Sequence, residues 1–439
     1  MIPAIAGTKL EQKINDKSAV FGVIGLGYVG LPLIVAMAQR AGNRCIGFDV
    51  SGQRVAEINE GISYIGDIPS SDLAPLVKKD LIEATVDFSR VAECDVIAIC
   101  VPTPLNSHNE PDVSYMVAAA TEIALHLKPN ALVTLESTTY PGTTEEVLLP
   151  LIQSDELVLD KNLFVAFSPE RVDPGNETWQ ITNTPKVVGG ITERSTELAT
   201  LFYSKFIDTV VPVSTARAAE LSKLFENIFR CVNIALVNEL AQLCERMDID
   251  IWEVIDAAKT KPFGFMPFYP GPGLGGHCIP VDPFYLTWKA REYDFHTQFI
   301  ELAGRINDDM PYYTAHRLMD ALNTQGKALN GAQILVLGVA YKADINDMRE
   351  SPAITVISRL KEKGAKIRYH DPYVEEYVQD SEKVSSIPLT VDEVKAADAV
   401  IVLSGHTNVD YDMVVKHASL VFDTRNVIDT SGGEHVISL

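Results

Sequence analysis

A thiol in a glycine-rich loop is the first residue here whose type and setting suggest chemistry. Cys278 lies in Gly271-Pro-Gly-Leu-Gly-Gly-His-Cys-Ile-Pro-Val-Asp282-Pro283, a stretch too rich in Gly and Pro to be helix. A free thiol with a pKa of about 8.5 is only a few per cent thiolate at neutral pH, and a helix N-terminus or a nearby cation raises that fraction. Asp282-Pro283 reads as an N-cap followed by proline at the first helical position, with helix over Phe284–Glu292. Cys278 then precedes a helix start. The neighbouring His277 admits a second reading, a Cys-His hydrolase, although adjacent residues seldom point the right way. Cys45, Cys94, Cys100, Cys231 and Cys244 lie in apolar surroundings and read as packing residues. No C-x-x-C pair occurs, so neither structural zinc nor a disulfide framework is expected.

The second chemical signal is Gly25-Leu-Gly27-Tyr-Val-Gly30, which follows an apolar run and opens a helical pattern. Gly25 allows the tight turn, Gly27 lets a pyrophosphate approach the backbone, and Gly30 lets helix and strand pack closely. The helix N-terminus supplies N–H donors to the phosphates. Asp49 ends the next strand, near the spacing of a ribose-binding carboxylate. It would accept bonds from ribose hydroxyls and repel a 2′-phosphate, which favours NAD over NADP. Arg54 is the complication, because an arginine there could hold that phosphate, cover the adenine ribose or simply be solvated. Val101-Pro102-Thr103-Pro104, directly after a strand, fits either a loop over the cofactor or a rigid strand exit.

These residues need elements to hold them. Val20–Ile24, Arg44–Asp49, Asp95–Cys100 and Ala131–Glu136 read as strands, and Leu31–Arg40, Ser51–Glu60 and Tyr115–Leu127 as helices. The alternation implies a parallel, doubly wound sheet, with further strands at Phe164–Phe167, Lys186–Gly189 and Thr209–Val213. From Thr215 to about Ile249 apolar residues recur every three or four positions: Leu221, Phe225, Ile228, Val232, Leu236, Leu240, Leu243, Met247. An unbroken helix there is roughly 50 Å long at 1.5 Å per residue. Phe229, Ala235 and Val237 widen its stripe beyond one face, so more than one side must be covered. The helix is expected to join two domains and pack on a second subunit, the alternative being an intrachain core helix. After about residue 330 a second α/β pattern begins: strands at Ala332–Gly338, Ala365–His370, Ala399–Leu403 and Leu420–Phe422, and a helix over Pro352–Lys363. It has only Gly338 and Ala340 where the first domain has three glycines. A mononucleotide portion of a substrate fits it better than a second dinucleotide. The expected fold class is thus α/β: two Rossmann-like parallel-sheet domains, over 1–213 and 326–439, joined through a long central helix and a small helical domain over 214–325.

With 37 Lys and Arg against 59 Asp and Glu, the 439-residue chain has a formal net charge of −22. Nucleic acid and anionic membrane both want a positive footprint, so neither is an expected partner. Val96–Val101, Ile334–Ala340 and Ala399–Leu403 are too short to span a bilayer. With no signal-peptide pattern in the first twenty residues, a cytoplasmic location is expected.

Six ordered segments carry a resemblance over essentially the whole chain. They are Gly25–Gly30, Glu136-Ser-Thr138, Ser168-Pro-Glu170, Glu220-Leu-Ser-Lys223-Leu-Phe-Glu-Asn227, Gly271–Pro283 and Lys342-Ala-Asp-Ile-Asn-Asp-Met-Arg349-Glu-Ser. Together they resemble the UDP-glucose/GDP-mannose dehydrogenase family. The resemblance implies NAD-binding and UDP-binding α/β domains, a dimer-forming helix, and oxidation of a sugar C6 alcohol to a carboxylate with two NAD; no metal is expected. An aldehyde is captured by Cys278 as a thiohemiacetal, oxidised to a thioester and hydrolysed; the covalent adduct stays aligned between the two oxidations. By position, Lys223 and Asn227 would stabilise an oxyanion, Asp282 would work with Lys223 on a water, Glu170 would be the base for hydrolysis, and Thr138 would orient a water. Tyr28, Val29, Pro102, Thr103, Ser137, Thr138 and Arg349 fall to the cofactor; Arg171, Val172, Gly275, Lys342 and Arg425 fall to the substrate, as do Glu170, Lys223 and Asn227. One departure is informative: Val281 stands where UDP-glucose members carry lysine. With Ser168-Pro-Glu-Arg171-Val-Asp-Pro-Gly175, Phe284–Glu292 and Phe299–Gly304, this resembles the bacterial UDP-N-acetylglucosamine 6-dehydrogenase branch that serves O-antigen synthesis. No residue reads the C2 or C4 epimer directly. Two other readings remain in the residues alone: a two-electron hydroxyacid dehydrogenase in which Cys278 is incidental, and a nucleotide-sugar-binding scaffold without chemistry.

Overall fold

The structure is a computed structural model that describes residues 8–439 apart from 67, 107, 109, 173–175, 177, 277, 278, 280, 380 and 430–432. The chain divides into two compact units, one built from residues 1–226 and 284–293, the other from 227–283 and 294–439.

The first unit is built on eight strands: β1 Phe21–Ile24, β2 Cys45–Phe48, β3 Ile82–Thr85, β4 Val96–Ile99, β5 Ala131–Leu135, β6 Leu163–Phe167, β7 Lys186–Gly190 and β8 Val210–Val213. Their order is β3-β2-β1-β4-β5-β6-β7-β8. β1 to β6 are mutually parallel, β7 runs antiparallel to β6, and β8 is parallel to β7. β1, β2, β4, β5 and β6 are buried at every residue, as parallel strands covered by helices on both faces must be. One face packs Phe21, Leu33, Phe164 and Phe202; the other packs Phe48, Ile97, Met116 and Phe167. The expected strands are present. β3 is an addition: its buried Ile82 and Ala84 alternate with half-buried Glu83 and Thr85 at the sheet edge, too polar a run to stand out. The helix after the first glycine turn runs over Gly30–Ala36 and widens into a π-turn at Met37–Ala41, close to the expected 31–40.

The expected long helix spans Ala216–Arg246, 31 residues. In the second unit its Val237, Ala241 and Cys244 pack on Ile251, Trp252 and Ile255 of the helix Ile251–Ala258. Its Cys231 and Ala235 pack on Ala303 of the helix Gln298–Thr324. A buried amide pair joins the two long helices: Asn238 Nδ2 donates to Asn307 Oδ1 at 3.0 Å and Asn307 Nδ2 to Cys231 O at 3.1 Å. Leu236, Leu240, Leu243 and Met247 are exposed at 56%, 40%, 49% and 57%.

The second sheet holds β9 Gln333–Leu337, β10 Lys366–His370, β13 Ala399–Val402, β14 Val421–Asp423 and β15 Val436–Ser438, in the order β10-β9-β13-β14-β15, all parallel. A hairpin, β11 Glu376–Gln379 with β12 Glu382–Ser385, stands apart from it. Helix Pro352–Glu362 meets the expected boundaries within a residue; the hairpin, short and rich in polar residues, and β15, only three residues long, were not legible. The five cysteines assigned to packing are all buried. Among the described residues, no helix is long and apolar enough to cross a membrane.

Candidate active site

Strand order decides where the first unit can bind. The chain reverses direction across the sheet between β1 and β4, and in such folds ligands lie beyond the carboxyl ends of the strands at that switch point. The Gly25–Gly30 turn follows β1 directly. Gly25 has φ +88°, and a Cβ there would stand 2.8 Å from Cys100 O; a Cβ on Gly30 would meet Gly25 O at 1.9 Å. At Gly27 a Cβ would meet nothing within 4 Å. The turn thus needs two glycines for its own geometry and leaves open space at the third, as an approaching pyrophosphate requires. Tyr28 is half-exposed, Val29 is half-buried and Gly30 opens the helix.

Asp49 is 5% exposed at the end of β2. Its Oδ2 accepts from Leu26 N and its Oδ1 from Ser51 N, each at 2.9 Å. Two backbone donors fix the carboxylate and leave acceptor capacity for ribose hydroxyls. Arg54 lies 3.6 Å from Asp49 and over the Tyr64 ring, so its charge is already partly matched. These residues fit a dinucleotide whose ribose carries free hydroxyls. After β4, Pro102 is exposed and Thr103 buried. Thr103 Oγ1 donates to Thr138 O at 2.6 Å, Ser137 Oγ donates to Val101 O at 2.7 Å, and the Tyr285 hydroxyl donates to Thr103 O. The loops after β4 and β5 are therefore tied together, which makes this strand exit rigid.

Glu170, Arg171 and Val172 are half-buried. Glu170 Oε1 accepts from the N–H groups of Arg171 and Val172 at 2.7 and 2.8 Å, while its Oε2 lies 3.6 Å from Lys186 Nζ. Arg171 pairs with Glu226 at 2.7 Å. Lys186 is buried and bonded to Glu136 at 2.8 Å, and Glu136 also accepts from the Tyr203 hydroxyl at 2.7 Å. Burial works against the Lys186 ammonium, but Glu136 and Glu170 outweigh it and push its pKa up. Sequence reasoning did not single out Lys186 or Tyr203, because a lysine opening an apolar strand reads as a solvated strand end. Glu220 is also buried, accepting from Gly142 N, Thr144 N and Thr144 Oγ1, and burial raises its pKa to about 7. It anchors the first turns of the long helix that carries Lys223, itself 8% exposed.

In the second unit Asn227, one turn beyond Lys223, is 3% exposed and donates through Nδ2 to Asp282 Oδ2 at 2.5 Å. Asp282 is 1% exposed and opens the helix Asp282–Ala290, which starts two residues earlier than expected and places the carboxylate within the first turn. His277 and Cys278 lie outside the described residues. The loop before them is closely held. Gly271 N donates to Asn238 Oδ1 at 3.0 Å and Gly276 N to Arg349 O at 3.1 Å. A Cβ on Gly271 would meet the Arg425 guanidinium at 2.8 Å, and one on Gly275 would meet Tyr341 at 2.6 Å. Lys342 and Arg349 follow Tyr341, both half-buried, with Arg349 ion-paired to Asp347 at 2.6 Å. The loop, the amide network and the segment after β9 thus converge, and Arg425 joins them.

The second sheet repeats the ribose-carboxylate position and closes it. Asp371 ends β10 as Asp49 ends β2. Its Oδ2 accepts from Val339 N, Ala340 N and His406 Nε2 at 2.8, 3.0 and 3.1 Å, and its Oδ1 from Tyr373 N and Val374 N at 2.9 and 3.0 Å. Burial works to raise its pKa, but the His406 bond and the backbone donors bring it down to about 2. All its lone-pair sites are used. Gly338 has φ +84°, and a Cβ there would stand 2.4 Å from Ser404.

Three family models match in order. The NAD binding domain of the UDP-glucose/GDP-mannose dehydrogenase family matches residues 19–207, its central domain 217–309 and its UDP binding domain 335–430. The UDP-N-acetyl-D-glucosamine 6-dehydrogenase of Pseudomonas aeruginosa is 36% identical over 82% of this chain and 84% of its own. The UDP-N-acetyl-D-mannosamine dehydrogenase of Methanocaldococcus jannaschii is 33% identical over 96% and 95%. The structure of the UDP-D-ManNAc dehydrogenase from Pyrococcus horikoshii superposes with a TM-score of 0.86 at 31% identity, covering 95% of this chain and 98% of that one. Matched along its length in all three parts, the chain belongs to the UDP-glucose/GDP-mannose dehydrogenase family and is an NAD-dependent oxidoreductase of UDP-sugars.

Proposed function

We propose that the chain oxidises C6 of UDP-N-acetyl-D-glucosamine to the uronate, consuming two NAD and one water. One observation carries the two-ligand reading: the ribose-carboxylate position is open at Asp49 and saturated at Asp371. One sheet suits the dinucleotide, and the other suits the nucleotide end of a sugar nucleotide. Bound NAD supplies the hydride acceptor for both oxidations.

The chain's own residues do the rest. Lys223 and Asn227 present a cation and an amide donor that stabilise developing negative charge on the sugar oxygen. The Asn227–Asp282 bond orients the amide. Cys278 bonds to the aldehyde carbon, holding it as a thiohemiacetal that is then oxidised to the thioester. Glu170 takes a proton from the attacking water, the new C–O bond forms, and the C–S bond breaks with its electron pair leaving on sulfur. Thr138 orients that water. Lys342, Arg425, Arg171, Val172 and Gly275 contact the sugar nucleotide, and Arg349 the cofactor. The N-acetylglucosamine choice is supported by Val281 and by the named Pseudomonas aeruginosa relative; the mannosamine relatives make that epimer the comparison. The exposed stripe of the long helix supports a homodimer, and the product class fits supply of a cytoplasmic route to surface polysaccharide such as O-antigen.

The test is NADH yield on UDP-N-acetylglucosamine, its manno and galacto epimers, and UDP-glucose. Two NADH per sugar are expected, with the highest kcat/KM on the gluco compound. One NADH per sugar points to a two-electron dehydrogenase, and none on any UDP-sugar to a binding scaffold.

A further inference from the structure

Behind Glu170 lies a group of atoms that the proposed chemistry does not use. Among the described residues, Glu170 Oε2 and Thr184 Oγ1 are both buried and make no hydrogen bond. Unpaired buried acceptors and hydroxyls of this kind are costly and rare. Both residues line one cavity, together with Lys186, Ile181 and the prolines 169 and 185. About 10 Å³ of it is open to the centre of a water molecule, room for one. Lys186 borders it as a third polar partner, 3.6 Å from Glu170 Oε2, too far for a direct bond and suited to a bridged one. Lys186 is fixed from behind by Glu136 at 2.8 Å and Pro169 O at 3.3 Å, and Glu136 by Tyr203.

We propose that Lys186 and Thr184 bind one water against Glu170 Oε2, and that this water with its buried Lys186–Glu136 support positions Glu170 for the proton it accepts. The inference rests on the reading of Glu170 as the base of thioester hydrolysis. The proton taken from the attacking water is held on the Glu170 carboxyl: Oε1 stays pinned by two N–H groups, and a proton on Oε2 is donated in a hydrogen bond to the bound water. No electron moves in this step. Lys186 and Thr184 are positioning residues: they touch neither sulfur nor sugar. Three donors and acceptors satisfy the ordinary valence of an internal water.

The test uses the full chain with UDP-N-acetylglucosamine and NAD in rapid-quench runs. NADH from the first turnover is read beside the mass of the sugar acyl group on Cys278. Thr184→Val keeps shape and removes the hydroxyl. Lys186→Met with Glu136→Gln replaces the ion pair without leaving a lone buried charge. Both are expected to form first-turnover NADH at the wild-type rate, then to accumulate the acyl adduct. Steady turnover should fall about tenfold or more for the double variant and a few fold for Thr184→Val. Lys186→Arg should restore most of it. A crystal structure should show the water within hydrogen-bond reach of Glu170 and Thr184. Equal loss in the first turnover and the steady state, no loss in either, or a dry cavity overturns the proposal and leaves Lys186 as a core ion pair. Glu170→Gln separates the layers. If it accumulates adduct and the Lys186 and Thr184 variants do not, this inference alone fails. If it accumulates none, the reading of Glu170 fails and takes the inference with it.

Discussion

A thiol and a carboxylate dominate at the scale of single residues. The chemistry assigned to Cys278 needs a nucleophile that is partly ionised at neutral pH, which a hydroxyl is not. Cys278→Ser is expected to lose turnover by about a thousandfold or more while binding NAD and UDP-sugar with near-normal affinity by calorimetry. Full activity in that variant would remove the covalent route. Asp49 offers a second test. Its two oxygens are held by Leu26 N and Ser51 N, so its remaining acceptor capacity is aimed and rigid. Asp49→Asn replaces one acceptor by a donor and removes the charge. Bonds to charged groups are worth about 1.5–3 kcal/mol, so Kd for NAD should rise roughly 10- to 150-fold. An unchanged Kd would separate Asp49 from the ribose.

Among the elements, the loops after β9 and β10 are held together through one buried carboxylate. Asp371 has a pKa of about 2 against an ordinary 3.8. A carboxylate with a depressed folded pKa contributes stability that is complete above the unfolded value and is lost as pH falls toward the folded one. The shift corresponds to about 2 kcal/mol, fading between about pH 4 and pH 2. Asp371→Asn should lower stability to urea at pH 7 by a similar amount or more. The gap to wild type should narrow as the pH falls to 2; a gap constant over that range would refute the assignment. The amide network makes a separate prediction. Gly271 N, Asn238, Asn307 and Cys231 O form one chain of bonds. Asn307→Leu leaves the buried Asn238 Nδ2 without its acceptor, costing about 1–3 kcal/mol. It should also speed protease cutting near Gly271. Unchanged cutting would mean that the loop is held by other contacts, such as Tyr341 and Arg425.

For the whole molecule, the question is what covers the outer stripe of the long helix. Leu236, Leu240, Leu243 and Met247 recur at three- and four-residue spacing and are all exposed, a contiguous apolar surface of the kind that marks an interface. Wild type should sediment as a dimer. Leu236→Glu with Leu243→Glu should be monomeric at micromolar concentration, since burying charges at a dimer seam costs several kcal/mol. A monomeric wild type would contradict the dimer reading.

Local pattern settled much of this protein before any contact was known. Gly25–Gly30 and Asp49 announce a dinucleotide turn because each glycine meets a steric demand of one short loop. Strands such as Val96–Ile99 announce themselves because parallel strands covered on both faces must be apolar throughout. The 31-residue helix is legible from its period alone. Other features depend on groups far apart in sequence. Asp371 occupies the same register position as Asp49 and has the opposite character, because only the fold brings His406 and the Val339 and Ala340 N–H groups to it. Lys186 looks like a solvated strand end until Glu136 and Glu170 are seen on either side of it. Sequence resemblance assigns Arg425 to the substrate but says nothing of its neighbours; the fold sets its guanidinium against Gly271, more than 150 residues away. Sequence determines what one segment can adopt, because sterics and periodicity act over a few residues; charge and burial act through space, and the tertiary structure alone decides them.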